Sequence, residues 1–250
     1  MIKSAVKGLL NGFGLEISRC RPVKFEHGIQ QYQYLRRDGS FDYELYKYVQ
    51  TQGNKRKIEN TWVSEKNIAF LSDYIRSLIP HPSFGLCHGT RRGREQEWFR
   101  EYLQCEVLGT EISDTAEQFP NTIQWDFHEV DPSWVDAVDF IYSNSFDHTY
   151  DPERCLNAWM SCIRKGGVCI LEHTSAQEIA DELDPFGAPI ELMPYLVLSW
   201  GRGEFCVSQI LESPTAHEDV SYSRFLVIQR TGLESRVNNL EVPAKRAVSL

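Results

Sequence analysis

The chain has 250 residues, of which 42% are hydrophobic and 24% are charged, as is typical of a globular protein with a sizeable core. This length accommodates one α/β domain with an additional element but is short for two full domains. The formal net charge of −9 argues against broad electrostatic binding to nucleic acid, which requires clustered cations. The sequence has no apolar run long enough to span a membrane and no signal-peptide cleavage pattern, so we expect a cytoplasmic protein without a transmembrane segment.

The seven cysteines contain no C-x-x-C pair, the spacing that common zinc sites use. We therefore predict that the cysteines are reduced core residues. Neither a disulfide framework nor a zinc site is expected.

Residues 1–80 are predicted to form an N-terminal helical extension. Apolar residues at helical spacing in residues 2–13, with Lys3 and Lys7 on the opposite side, predict a basic amphipathic helix. Such a helix packs on its own core or rests on a membrane surface, so residues 2–15 are a candidate for peripheral membrane contact. Residues 28–60 mix aromatic and charged side chains, which indicates either substrate stacking or a helical cap over the core, and we favour the cap. Residues 64–79 have one apolar face and predict a helix that ends before Pro80.

From residue 81 onwards, short apolar runs alternate with helical stretches, which predicts βαβ units and a parallel sheet. The predicted strands are residues 84–87, 106–109, 122–125, 138–143, 168–172, 205–211 and 225–229, and helices are expected at 95–103 and 152–163. We therefore expect an α/β domain over residues 81–233, with a doubly wound, mostly parallel seven-stranded sheet and helices on both faces. Residues 234–250 lack periodicity and are predicted to be a C-terminal tail.

The ends of the first three predicted strands carry residues suited to binding a nucleotide-like cofactor. The turn GLCHGTRRG, residues 85–93, contains Gly89, and a glycine-containing turn lets the backbone approach a ligand. Glu111 ends the second strand, 22 residues after Gly89, where a carboxylate can accept hydrogen bonds from both hydroxyls of a ribose. These two features fit NAD and S-adenosylmethionine equally well. After the third strand, Asp126 can accept from the exocyclic amine of adenine while Phe127 covers the ring.

Residues 138–172 contain three short motifs in order: Asp147-His148 after the fourth strand, Asp151-Pro152 at a helix start, and Lys165-Gly166-Gly167 before the fifth strand. In this order they resemble the class I S-adenosylmethionine-dependent methyltransferases, in particular the ubiquinone/menaquinone-type group. In that group a strand ending near "EH" is followed by "DP", a helix and a "kpGG" turn. The resemblance covers roughly residues 84–174. It implies a Rossmann-like fold, S-adenosylmethionine as the cofactor and methyl transfer as the reaction.

The first glycine motif departs from that family's pattern, which reads acid-x-Gly-x-Gly-x-Gly. Aligned on Gly89, the chain has Gly85 at the position of the acid, Cys87 at the first glycine and Arg91 at the third. The missing acid removes a usual partner for the amino group of the cofactor, and the missing glycines add bulk beside its methionine part. One interpretation is that Arg91 or Arg92 binds the methionine carboxylate or an acidic group of the acceptor. The other is that the affinity for the cofactor has been lost.

The strand ends and the resemblance together predict the residues of the site. The predicted cofactor-binding residues are Cys87, His88, Gly89, Arg91, Glu111, Ile112, Asp126, Phe127, Ser143 and Asn144. His148 is the predicted general base, because imidazole titrates near neutral pH, and Asp147 is predicted to orient it. Asp147, His148, Glu172 and His173 could together hold a divalent cation, but we predict no metal.

Three functions are compatible with the sequence. The first is S-adenosylmethionine-dependent methylation, with O-methylation of a small-molecule or glycan-like acceptor favoured. The glycan-like option rests on residues 9–15, which resemble the N-termini of enzymes of cell-surface glycan assembly. The second is a non-catalytic S-adenosylmethionine-binding module, and the third is an NAD-dependent oxidoreductase, which the lack of a G-x-G-x-x-G motif disfavours.

Overall fold

The computed structural model describes residues 23–232. The helix predicted at residues 2–13, the candidate membrane contact at 2–15 and the tail predicted at 234–250 lie outside the described residues and stay predictions. Among the helices of residues 23–232, none combines the length and the apolar character needed to cross a membrane.

The N-terminal part of the described chain contains strands as well as the expected helices. A hairpin of β1 (Val23–Glu26) and β2 (Ile29–Tyr32) comes first, and β2 also pairs with the short strand β8 (Phe186–Gly187). Its two turn residues, His27 and Gly28, have φ angles of 51° and 86°, as tight two-residue hairpin turns require. Helices α1 (Tyr43–Arg56) and α2 (Glu65–Leu78) follow the hairpin.

The centre of the protein is a seven-stranded sheet, as predicted. Its strands are β3 (Phe84–His88), β4 (Glu106–Glu111), β5 (Thr122–Gln124), β6 (Val138–Ser143), β7 (Ile163–Thr174), β9 (Phe205–Glu212) and β10 (Ser223–Arg230). They lie in the order β5-β4-β3-β6-β7-β10-β9, and all neighbours are parallel except at β10, which is antiparallel to both β7 and β9. The order reverses between β3 and β6, so ligands are expected at the carboxyl ends of these strands.

Helices cover both faces of the sheet, because successive residues of a buried strand point to opposite faces. In β6, Phe140 and Tyr142 pack on one side with α2 and with α3 (Arg94–Leu103), while Ile141 packs on the other. The second side is covered by α4 (Pro152–Cys162) and α5 (Met193–Trp200). Helix α2 therefore belongs to the layer that covers the main sheet, although the sequence had placed it in the N-terminal extension.

Two predicted motifs have clear structural reasons. Asp151 caps α4 by accepting a hydrogen bond from the backbone N–H of Arg154 at 3.1 Å, and Pro152 occupies the first turn, where its missing N–H costs nothing. Gly166 has a φ of 84° inside β7, so the predicted glycine turn is an irregularity within a strand that begins at Ile163 rather than at residue 168.

Candidate functional site

Two adjoining cavities lie at the carboxyl edge of the parallel strands. The first cavity, with a volume of about 580 Å³, lies between α1 and the ends of β3, β4 and β5. The second cavity, about 760 Å³, lies between the turn after β3, the α1–α2 connection and the segments after β6 and β7. The residues that line both cavities are Lys57, Gly89, Arg91, Ser145 and His148.

The turn after β3 forms the wall between the two cavities. Gly89 has a φ of 74°, and a Cβ at this position would lie 2.6 Å from the Cβ of Ser145, so only glycine fits. The hydroxyl of Ser145 donates to the carbonyl oxygen of Gly89 at 3.1 Å, which holds the turn against the segment after β6. Arg91 adopts a φ of 44°, a left-handed conformation that costs energy for a residue with a Cβ. The backbone N–H of Arg91 is thereby aimed at Glu111.

Glu111 ends β4 and is 94% buried, with only 6% of its surface exposed. Its Oε2 accepts from the N–H of Arg91 at 3.1 Å, and its Oε1 accepts from the N–H of Ser113 at 3.0 Å. A carboxylate has about four acceptor positions, so about two stay free beside the first cavity, which Glu111 lines. Burial raises the pKa of Glu111, while these two backbone hydrogen bonds favour the ionised form.

Asp126 and Phe127 line the same cavity from the loop after β5. Oδ1 of Asp126 accepts from the backbone N–H of His128 at 3.0 Å and lies 2.7 Å from its Nδ1, while Oδ2 accepts from the hydroxyl of Tyr43 at 2.8 Å. Burial opposes ionisation of Asp126, but the hydrogen bonds from His128 and Tyr43 outweigh it and lower the pKa of the carboxyl. Only Oδ2 keeps a free acceptor position for a ligand. Phe127 is 8% exposed and packs edge-on against Trp159, which fixes its ring at the cavity wall.

Three predicted cofactor residues do not line either cavity with their side chains. Cys87 is fully buried among the residues that pack under α2 and α3, and His88, on the other face, stacks on Trp159 with ring centroids 4.6 Å apart. Ser143 is buried and donates from its hydroxyl to the carbonyl oxygen of His88 at 2.9 Å. The pleat of the strands explains the correction, since the last residues of β3 alternate between the two cores. These residues position the turn and do not face a ligand.

The other two predicted cofactor residues line the cavities. Ile112 lies in the first cavity, directly after Glu111, and Asn144 lies in the second, directly after β6. The Oδ1 of Asn144 lies 2.9 Å from the hydroxyl oxygen of Ser145, and the backbone carbonyl oxygen of Asn144 accepts from the side-chain amide of Gln177 at 3.0 Å. These bonds tie the segment after β6 to the segment after β7.

His148 lies at the junction of the two cavities, as its position after β6 predicted. Its Nδ1 lies 2.9 Å from Oε1 of Gln50 and 2.9 Å from the carbonyl oxygen of Leu183. Both atoms are acceptors, so these partners assign the proton of the neutral ring to Nδ1. Nε2 then carries the lone pair, and it forms no hydrogen bond within the described part of the chain. The ring is thus oriented as a proton acceptor.

The acid beside Nδ1 of His148 is Asp184 and not Asp147, which corrects the predicted orienting residue. Oδ1 of Asp184 lies 3.6 Å from this nitrogen, whereas Oδ1 of Asp147 accepts from the amide of Gln177 at 3.0 Å. Burial is the main cause that raises the pKa of Asp147 to about 6, and the charge of Asp184 adds to it, while His148 counteracts it.

The four-residue cation site considered from the sequence does not assemble. Both oxygens of Glu172 accept hydrogen bonds, from Tyr142 at 2.5 Å and from Ser223 at 3.1 Å, and Nε2 of His173 lies 3.0 Å from the carbonyl oxygen of Ala188. A different trio, Asp147, His148 and Asp184, has ligand atoms within 4.8 Å of one another. Nδ1 of this histidine faces two acceptors and so offers no lone pair to a metal, which leaves Nε2 as the one ring nitrogen that could act as a ligand.

The sequence reasoning missed the face that α1 contributes. This face closes the first cavity with Tyr46, Gln50, Gly53, Asn54 and Lys57. The hydroxyl of Tyr46 donates to the carbonyl oxygen of His148 at 3.1 Å, and the side-chain amide of Gln50 donates to the carbonyl oxygen of Leu183 at 2.9 Å. Their spacing of three or four residues was a readable signal of a shared helix face.

Solved structures share this fold. One is the 1,6-didemethyltoxoflavin-N1-methyltransferase of Burkholderia thailandensis, which was solved with 1,6-didemethyltoxoflavin and S-adenosylhomocysteine bound. It is 13% identical to this chain, and the match covers 83% of this chain and 98% of that one with a TM-score of 0.58. Magnesium protoporphyrin IX methyltransferase of Synechocystis PCC 6803, solved with bound S-adenosylmethionine, is 13% identical, with coverages of 77% and 99% and a TM-score of 0.54. No protein-family model and no curated protein matches the sequence. These similarities confirm the Rossmann-like, class I methyltransferase fold expected from the sequence.

Proposed function

We propose that the protein is an S-adenosylmethionine-dependent methyltransferase that methylates a hydroxyl group of a small molecule. The observation that carries this proposal is the pair of adjoining cavities, with Glu111 in the first and His148 at their junction. Proteins of the same fold that were solved with S-adenosylmethionine or S-adenosylhomocysteine bound support the choice of cofactor.

The residues of the first cavity fit the adenosine part of this cofactor. The free acceptor positions of Glu111 suit the two hydroxyls of a ribose, and the remaining acceptor position of Asp126 suits the amine of adenine. Phe127 offers an aromatic ring at the wall, and Gly89 lets the backbone approach the ligand. When bound, S-adenosylmethionine supplies an electrophilic methyl group on a sulfonium.

His148 is the proposed general base. Gln50 and the carbonyl oxygen of Leu183 hold the proton on Nδ1, so Nε2 can accept the proton of an acceptor hydroxyl. The resulting imidazolium is stabilised by the carboxylate of Asp184, whose oxygen lies 3.6 Å from Nδ1. The rest of the catalytic effect comes from holding the acceptor in line, with reacting atoms about 3–3.5 Å apart.

The form of the site and the charge of the chain support a small acceptor. Two adjoining concave cavities with a few polar groups at their walls suit small molecules, including the glycan-like acceptors that the sequence raised. The net charge of −9 disfavours a nucleic acid. A cytoplasmic location and peripheral membrane contact through residues 2–15 also stay proposals.

One observation favours a second candidate, a non-catalytic module that binds S-adenosylmethionine. Arg91 occupies a position where related motifs have glycine, and its left-handed backbone adds strain to the turn. Micromolar binding of the cofactor without transfer to any acceptor would support this alternative.

Calorimetry and a transfer assay test the proposal together. S-adenosylmethionine and NADH are titrated into the full chain, and a labelled-methyl assay is run on a panel of hydroxylated small molecules. We expect binding of S-adenosylmethionine only, and label on at least one acceptor. Binding of NADH without binding of S-adenosylmethionine would contradict the proposal and favour an oxidoreductase.

The variant His148→Asn tests the role of the base. Asparagine keeps an N–H donor near the position of Nδ1 but has no proton acceptor at Nε2, so we expect kcat to fall about 10²- to 10⁴-fold. The affinity for S-adenosylmethionine should change by less than about twofold, since the lost interaction acts on the acceptor. His81→Asn, at an exposed position outside both cavities, is the matched control and should leave kcat unchanged. An active His148→Asn variant would show that His148 is not the base.

A further inference from the structure

Glu95 is a buried acid that forms no ion pair with any cation of residues 23–232. It lies in the first turn of α3, is 6% exposed and lines the second cavity. Its hydrogen-bond partners are its own backbone N–H and the amide of Asn144, and Arg91 is near enough to favour the ionised form without an ion pair between them. Burial raises the pKa of Glu95 to about 8, which shows how poorly the chain alone compensates this charge.

The cations nearest to Glu95 in sequence are already paired elsewhere. Arg92 forms an ion pair with Glu59 at 3.0 Å, and Arg94 forms one with Glu97 at 2.6 Å. A buried carboxylate without a cation is costly, and an acid with a strongly raised pKa that lines a cavity is a candidate for binding a ligand. The second cavity therefore offers a subsite for a positively charged group.

A second polar atom of this cavity also lacks a partner. Thr90 is 3% exposed, its Oγ1 has no hydrogen-bond partner within the described residues, and it lines the second cavity beside Glu95. A hydroxyl can donate to a carboxylate, and the neighbouring guanidinium of Arg91 can do the same. An acid, a hydroxyl and a guanidinium together suit a zwitterion that carries both an ammonium and a carboxylate.

The end of β3 supplies no acid for this purpose. Gly85 is the second residue of the strand, and the ring of Phe140 fills the space that a side chain at this position would need. The strand then ends with Cys87 and His88, whose side chains lie in the two cores. Glu95, on the next helix, is a buried acid that lines the second cavity beside the turn.

We infer that Glu95 binds the ammonium group of the methionine part of S-adenosylmethionine, and that Thr90 and Arg91 bind its carboxylate. This inference rests on the proposed function, because it takes the adenosine part to occupy the first cavity. The methionine part then reaches the second cavity past Gly89 and Arg91, which line both. The altered glycine motif is compensated from α3 and does not mean that cofactor binding has been lost.

Two probes that differ only in the amino acid part test the inference by calorimetry on the full chain. S-adenosylhomocysteine carries the ammonium and carboxylate, whereas 5′-methylthioadenosine keeps the adenosine and the sulfur but lacks both. Glu95→Gln should weaken S-adenosylhomocysteine binding roughly tenfold or more, as expected for a lost charge-assisted pair, and leave methylthioadenosine binding within about twofold. Glu101→Gln, an exposed acid of the same helix, is the matched control and should change neither.

Thr90→Val is a second variant that nearly conserves volume, and it should weaken S-adenosylhomocysteine but not methylthioadenosine. Equal affinities of wild type and Glu95→Gln for S-adenosylhomocysteine would overturn the inference. An equal loss for both probes would also overturn it, because the effect would then come from the fold. If the wild type binds neither probe, the proposed function itself fails.

Discussion

Replacing Glu111 by alanine tests the cofactor site most directly, because this carboxylate has a role in the fold and a proposed role in binding. Its two oxygens accept from the N–H groups of Arg91 and Ser113. The N–H of Ser113 is fully buried, so leaving it without an acceptor costs about 1–3 kcal/mol of unfolding free energy. Arg91 lines both cavities, where water can accept a hydrogen bond from its backbone N–H in place of the carboxylate, so losing this bond adds less to the loss of unfolding free energy.

The expected loss of binding is separate from the loss of stability. The carboxylate of Glu111 would form charge-assisted hydrogen bonds with the ribose hydroxyls, and losing them costs about 1.5–3 kcal/mol. This corresponds to a fall in affinity of roughly 10- to 150-fold, at about 1.4 kcal/mol for each factor of ten. Methylthioadenosine should suffer the same loss as S-adenosylhomocysteine, because both carry the ribose.

Urea unfolding and calorimetry measure the two effects on the same preparation. Glu106→Ala, at the exposed start of the same strand, is the control and should alter neither quantity beyond about 0.5 kcal/mol. Binding that is unchanged in a folded Glu111→Ala variant would refute the assignment of the ribose to this carboxylate. The position of the cofactor would then have to be sought outside the first cavity.

Three further outcomes follow from the same geometry. Gly89→Ala should reduce both stability and cofactor affinity. The added Cβ would lie 2.6 Å from the Cβ of Ser145, and the left-handed backbone conformation costs about 1–2 kcal/mol more for a residue with a Cβ. Tyr43→Phe should cost about 1.5–3 kcal/mol of unfolding free energy, because it removes the hydroxyl that donates to the Asp126 carboxylate. The contribution of Glu95 to stability should fall as pH rises from about 4.5 to 8, because burial raises its pKa in the folded state to about 8, so the folded chain keeps a proton that the unfolded chain has lost.

Each of these outcomes has a matched control. Gly166 has a similar φ of 84°, but no atom lies within 4 Å of an added Cβ, so Gly166→Ala should show the effect of backbone strain alone. Tyr48→Phe, at a residue that is 63% exposed, should be neutral. Glu95→Gln should flatten the fall of stability between pH 5 and 8, a range bounded by the ordinary and raised pKa values of that acid. Equal slopes of stability against pH for the wild type and Glu95→Gln, measured by urea unfolding, would count against an unpaired Glu95.

Much of the sheet and part of the site were predictable from local patterns. Apolar runs alternating with helical stretches identified all seven strands, and parallel strands bring their carboxyl ends to one edge. For that reason Glu111, Asp126 and His148, which lie far apart in sequence, could be expected near one another. The glycine at residue 89 was identifiable because a tight turn after a strand needs it.

The missed features depend on long-range contacts or on the pleat. Asp184 reaches His148 from a loop 36 residues later, and no local pattern encodes that approach. Cys87 and His88 were assigned to the cofactor because they lie at a strand end, but the alternation of the strand turns both into the cores. The hairpin of β1 and β2 escaped notice because its strands are polar and partly exposed, although His27-Gly28 is a turn signal.

One position at the wall of the first cavity can be varied independently of the fold and of the proposed base. Gln50 and Asn54 are buried in this wall and already hydrogen-bonded, to Leu183 and Thr115, and Gln50 also holds Nδ1 of His148. Lys57, directly after α1, lines both cavities, and its side chain forms no hydrogen bond or ion pair with residues 23–232. Substitutions at Lys57 can therefore change the charge and shape of the two cavities at little risk to folding.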